Sequence, residues 1–81
     1  LTQYNLSRVL LDLGRFRGDR AVLAQALEAA LGARALYMAS GMQNFASTFD
    51  NLELEIRLAD LQAEVSAKMK ALQAQPAAPK P

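Results

Sequence analysis

The side chains able to do chemistry in this sequence are carboxylates, arginines and asparagines, because it contains neither histidine nor cysteine. That removes the usual general base near neutral pH, the thiolate nucleophile and the commonest ligands of structural zinc. Glu53, Glu55 and Asp60 form the densest acidic group. Acids two apart on a helix diverge, while Glu53 and Asp60 belong to a solvent-type face, so a solvated surface outweighs a metal or acid–base cluster. The chain has no Gly-rich phosphate loop. A non-enzymatic chain is expected, with no catalytic residue, no metal and no cofactor.

Two further polar groups have specific chemistry. Arg17-Gly18-Asp19 spells an integrin-recognition tripeptide. The competing reading is a hairpin turn whose Asp caps the next helix, and the sequence favours it because no secretion signal is visible. Asn5, Arg8 and Asp12 line one side of the first helical segment. An asparagine amide both donates and accepts, so Asn5 can bond the backbone of an extended peptide of any sequence. Arg8 can meet a ligand carboxylate, or pair with Asp12 at i+4 for about 0.3–0.5 kcal/mol. An exposed Asn near a helix start needs no ligand at all.

The elements that must position these groups are helices. Apolar residues make up 52% of the 81, with alanine and leucine abundant and strand formers scarce, which gives an all-α expectation. In the first segment Leu6, Val9, Leu10 and Leu13 share a side, while Tyr4 and Leu11 stand together on another. Gly14 offers a left-handed C′ residue at which this helix should stop. After the linker RFRGD, Asp19 caps a second helix whose stripe is Leu23, Ala26, Leu27, Ala30, Ala33 and Tyr37. Small residues, Gly32 among them, let helix axes approach, and Gly41 ends the helix.

Residues 1–40 therefore read as an αα-hairpin and 41–74 as a long third helix capped by Asn44 and running to about Gln73. Its first part should bury Phe45, Phe49, Leu52 and Ile56. The segment NLELEIRL also alternates like a strand, but helical signals flank it and no second strand is available to pair. The third helix is long enough to overhang the hairpin or to cover something else. Pro76, Pro79 and Pro81 give residues 75–81 the pattern of an extended or disordered tail.

Charge is segregated. Residues 1–34 hold five arginines and three acids, whereas residues 35–66 hold Arg57 against Asp50, Glu53, Glu55, Asp60 and Glu64. Lys68, Lys70 and Lys80 make the end basic. Such segments attract one another, within the molecule or between copies. The basic residues are too dispersed for a nucleic-acid face, and no apolar run reaches the roughly 20 residues of a membrane span. A protein or peptide partner is expected. The lack of cysteine fits a reducing, cytoplasmic setting.

Shifting the chain by 46 residues aligns Thr2, Asn5, Leu6 and Leu10 with Thr48, Asn51, Leu52 and Ile56. With that repeat in view, "NLSRVLLDLG" followed by "LAQALEAALGARALY" resembles a tetratricopeptide repeat (TPR). Leu6 and Gly14 fit its first helix, and Ala26, Ala30 and Ala33 its second. The insertion around Arg15–Gly18 brings it closer to the long-repeat variants of the family. Departures are Ser7 for a small Gly or Ala, Ala30 for a large aromatic, and no closing Pro. Residues 44–73 match only a first helix and resemble the capping helix of an array.

The resemblance covers roughly residues 2–61. It implies that Leu6, Val9, Leu10 and Leu13 face the hairpin partner, that Tyr4 and Leu11 face a preceding repeat, and that Asn5, Arg8, Asp12 and Asn51 bind a peptide. With no initiator Met and apolar spacing from Leu1 onward, the opening stretch reads as the middle of a longer array, of which this chain would be the C-terminal repeat and capping helix. The other function open to the sequence is self-association of a structural module through Leu58, Leu61, Val65 and Leu72.

Overall fold

The computed structural model describes residues 2–74. They form α1 (Gln3–Arg17), α2 (Arg20–Ala39), a 3-10 turn (Gln43–Phe45) and α3 (Ala46–Ala74), so the protein is all-α. The segment 51–58 is helical throughout. The Pro-rich segment 75–81 lies outside the described residues.

The ends of α1 and α2 have local causes. Thr2 caps α1, its Oγ1 accepting from the Asn5 N–H at 3.1 Å. The helix does not stop at Gly14; it runs one turn further, to Arg17, and Gly18 takes the left-handed position at φ 61°. Gly14 instead contributes its carbonyl to that stop, accepting from Asp19 N–H at 2.9 Å. Asp19 then caps α2, accepting from the Ala21 and Val22 N–H groups. The end of α2 is built the same way, with Gly41 at φ 79° and the Met42 N–H bonded back to Tyr37 O at 2.9 Å. Asn44 falls inside the 3-10 turn, two residues before α3 begins, and so does not hold the expected cap position.

The α1 face that enters the core is not the one with most leucine. Ser7, Leu11 and Gly14 are buried and Tyr4 is half-buried, a stripe at spacings of three, four and three. Leu6 and Val9 are exposed, contrary to the expected hairpin-facing side. The reason is the width of the contact. Ser7 reaches the Ala26 carbonyl and Gly14 lies against the Leu23 side chain and backbone, so these small residues of α1 let the two helices approach closely. Gly32 has no such role, since a Cβ there would meet only the end of the Gln3 side chain of α1.

The expected α2 stripe faces the core, with Leu23, Ala26, Ala30 and Ala33 buried and Leu27 and Tyr37 half-buried. α3 then folds back over the hairpin and inserts Phe49, Leu52, Ile56 and Ala59. Leu11, fully buried among Leu23, Ala26, Leu52 and Ile56, sits at the centre of the core. Tyr4 meets Phe49 edge-on at 5.6 Å, and Tyr37 meets Phe49 and Phe45 at 5.0 and 5.3 Å. Phe45 itself remains exposed, contrary to expectation, because the 3-10 turn holds it at the rim. The side of α1 expected to face a preceding repeat is thus covered by α3.

Candidate functional site

Ion pairs fix the direction of α3. Arg20 holds Asp60 through two hydrogen bonds of 2.8 and 3.0 Å, and Arg34 pairs with Asp50 at 3.3 Å. Position rises along α2 as it falls along α3, so these helices are antiparallel. Contacts of Gly14 with Leu23 and of Gln3 with Gly32 make α1 and α2 antiparallel as well. α1 and α3 therefore run parallel, and Arg8 bridges them to Glu55 at 3.1 Å. All three bridges join the basic hairpin to the acidic part of α3, so the segregated charge attracts within the molecule. The Asp60 carboxyl is held below its ordinary value, chiefly by the hydrogen bonds from Arg20, with partial burial opposing.

This arrangement decides what the first-helix polar face has to offer. Arg8 is engaged by Glu55 and not by Asp12, and Asp12 pairs with Arg15 at 3.3 Å. Asn5 and Asn51 are both exposed. Glu53, Glu55 and Asp60 are each partnered, by Arg57, Arg8 and Arg20 respectively. Among the described residues no group of three or more acids could hold a metal ion, and no helix is long and apolar enough to cross a membrane. The Arg17-Gly18-Asp19 turn uses its Gly for the left-handed stop and its Asp for the α2 cap.

The large unsatisfied surface is apolar and lies on α3. Leu54, Leu58, Leu61, Val65, Met69 and Leu72 are each between 53% and 67% exposed. At 100° per residue all six fall within an arc of about 80°, centred roughly 160° from the buried stripe of Phe49, Leu52, Ile56 and Ala59. α3 thus has two apolar faces on nearly opposite sides. One seats on the hairpin; the other faces away from it. Beside the outer face, an open groove of about 650 Å³ separates α3 from α2, floored by Leu23, Leu27 and Ile56 and rimmed by Arg20, Arg57 and Asp60. Leu61 and Val65 also border a second open hollow, of about 540 Å³.

The sequence identified Leu58, Leu61, Val65 and Leu72 in this stripe, and Leu54 by its spacing. Met69 is a further member that periodicity could have found, since it stands four residues after Val65. A second outer patch lies on α1, where Leu6 and Val9, expected against the hairpin partner, are exposed together with Phe16, which the sequence left unassigned and which is 86% exposed. No family model matches the chain, and neither does any curated protein or solved structure.

Proposed function

We propose that this chain is a non-enzymatic protein–protein interaction module that docks an amphipathic helix on the outer face of α3. The observation that carries the reading is the six-residue apolar stripe, long, continuous and turned away from the core that the same helix completes. Exposed apolar patches of this extent mark interaction surfaces, and a row at helical spacing fits a helical partner.

The tetratricopeptide-like reading belongs here as well. Parallel α1 and α3 with α2 antiparallel to both is the helix order of a repeat followed by a capping helix. Arg8 and Glu55, which pair across α1 and α3, are 47 positions apart, close to the offset at which the sequence repeats. In this reading the exposed Leu6, Val9 and Phe16, rather than Tyr4 and Leu11, would meet a preceding repeat. A peptide on Asn5, Arg8, Asp12 and Asn51 would have to compete with the Arg8–Glu55 and Asp12–Arg15 pairs, so the α3 face is the stronger candidate.

A panel of amphipathic helical peptides titrated against the isotope-labelled chain tests this. Amide shifts should concentrate on Leu54–Leu72 and vanish in a Leu58→Glu variant. Shifts confined to Asn5, Arg8 and Asp12, with α3 silent, would move the function to the first helix.

A further inference from the structure

We propose that the occupant of the outer α3 stripe is a second copy of this chain, with its α3 lying antiparallel. This rests on the stripe being a docking face and adds what covers it. Leu54, Leu58, Leu61, Val65 and Leu72 follow spacings of four, three, four and seven, the pattern of a two-helix seam. Extending that pattern places Lys68 and Asn51 in the same seam, and these two polar residues distinguish the directions.

In a parallel pair, Lys68 would face Lys68 and Asn51 would face Asn51, setting two ammonium groups against each other inside an apolar interface. In an antiparallel pair with Leu58 opposite Leu61 and Leu54 opposite Val65, Lys68 comes level with Asn51 of the second copy. The asparagine carbonyl can accept from the ammonium there.

The flank gives the same answer independently. Asp50, Arg57 and Glu64 recur every seven residues along one edge of the seam. A two-fold antiparallel pair brings identical edges together, so Arg57 lies beside Glu64 of the second copy, and the reverse pair forms by symmetry. A parallel pair would instead bring Asp50 beside Glu55 and leave Arg57 beside neutral Gln62. In the single chain Arg57 pairs with Glu53 at 2.9 Å and Lys68 with Glu64 at 3.7 Å. Both are exposed intrahelical pairs of small value, so exchanging them across an interface is easy. The hairpin need not move, because it occupies the opposite side of α3. The seam from Leu54 to Leu72 is about 27 Å long, small for an interface, so a dissociation constant in the micromolar range is expected.

The test is sedimentation of the full chain from about 1 µM to about 1 mM. A monomer–dimer equilibrium is expected, weakened roughly a hundredfold by Leu58→Glu. That side chain is exposed in the single chain, so far-UV helicity should persist and separate lost association from lost folding. Arg57→Glu or Glu64→Arg alone should weaken the dimer roughly tenfold, and the two combined should restore it. The chain has no native cysteine, so direction can be read by oxidation. Leu54→Cys mixed with Val65→Cys should give a disulfide-linked pair, and neither alone should. Cross-linking of each variant with itself would overturn the antiparallel arrangement. Association abolished by Val9→Glu but not by Leu58→Glu would overturn the α3 face. A monomer throughout, with heterologous peptides still shifting Leu54–Leu72, overturns the second copy alone; a monomer that no peptide shifts overturns the docking face too.

Discussion

Gly14 stands against Leu23 so closely that a Cβ built on it would lie 2.7 Å from Leu23 Cγ and 3.2 Å from the Leu23 backbone nitrogen. Because the crowding involves the branch point and the backbone, rotating a methyl group cannot relieve it. Gly14→Ala gains up to about 1 kcal/mol of helix propensity yet incurs overpacking of about 1–3 kcal/mol. We expect a net loss of about 1 kcal/mol in chemical denaturation. A variant more stable than the natural chain would mean that the two helices separate freely.

Gly32 supplies the contrast. A Cβ there meets only the end of the flexible Gln3 side chain, no nearer than 3.4 Å, and its backbone is helical. Gly32→Ala should therefore stabilise the fold by about 0.5–1 kcal/mol, read as a higher midpoint with unchanged slope. Destabilisation would indicate a close approach at this position that the geometry lacks.

Ser7 is fully buried and donates its hydroxyl to the Ala26 carbonyl at 2.8 Å. Ser7→Ala should cost about 1 kcal/mol, the net worth of one hydrogen bond, since the serine is small enough for alanine to replace without a large void. Ser7→Leu should cost more than 2 kcal/mol by wedging α1 from α2. Equal midpoints for the two variants would show that α1 does not pack through this side.

These three residues explain how far the sequence could be read. The number of helices, the α2 stripe and the buried Phe49, Leu52 and Ile56 follow from apolar spacing, because those positions carry large or regularly placed apolar groups. The face of α1 does not. Leu6, Val9, Leu10 and Leu13 outweigh Tyr4, Ser7, Leu11 and Gly14 on any hydropathy scale, yet close helix contact selects small side chains. Gly14 misled twice over: its residue type signals a helix end, and its role is proximity to Leu23. The partners of Arg8 and Arg20 were equally hidden, because Glu55 and Asp60 become neighbours only once α3 folds back. In the candidate site, the outer stripe was visible by period alone.

Asp60 gives the fold an acid-sensitive contact. Hydrogen bonds from Arg20, joined by the attraction of its charge, hold the carboxyl below its ordinary value of 3.8. The unfolded chain therefore binds the proton more readily than the folded one. The contribution is fully present above the ordinary value and is lost as pH falls through the lower folded one. Midpoint temperatures of the natural chain should drop more steeply below about pH 4 than those of Asp60→Asn. Added salt should shrink the difference, since the pair is exposed. Parallel acid limbs in the two proteins would remove Arg20–Asp60 from the forces that hold α3.

The turn between α1 and α2 depends on Gly18 and Asp19 for separable reasons. Gly18 sits at φ 61° with open space where a Cβ would stand, so Gly18→Ala suffers backbone strain alone, about 1 kcal/mol. Gly18→Asn, which tolerates the left-handed region, should recover part of it. Asp19 accepts from Ala21 and Val22, and Asp19→Ala leaves those amides unpaired at a cost of about 0.5–2 kcal/mol, whereas Asp19→Ser should retain most of the cap. Denaturation of the four variants tests whether conformation at Gly18 and capping by Asp19 hold the turn. A structural turn tolerates Ser and Asn because each meets the local geometric need, and equal losses for Asp19→Ala and Asp19→Ser would show that the carboxylate itself is required.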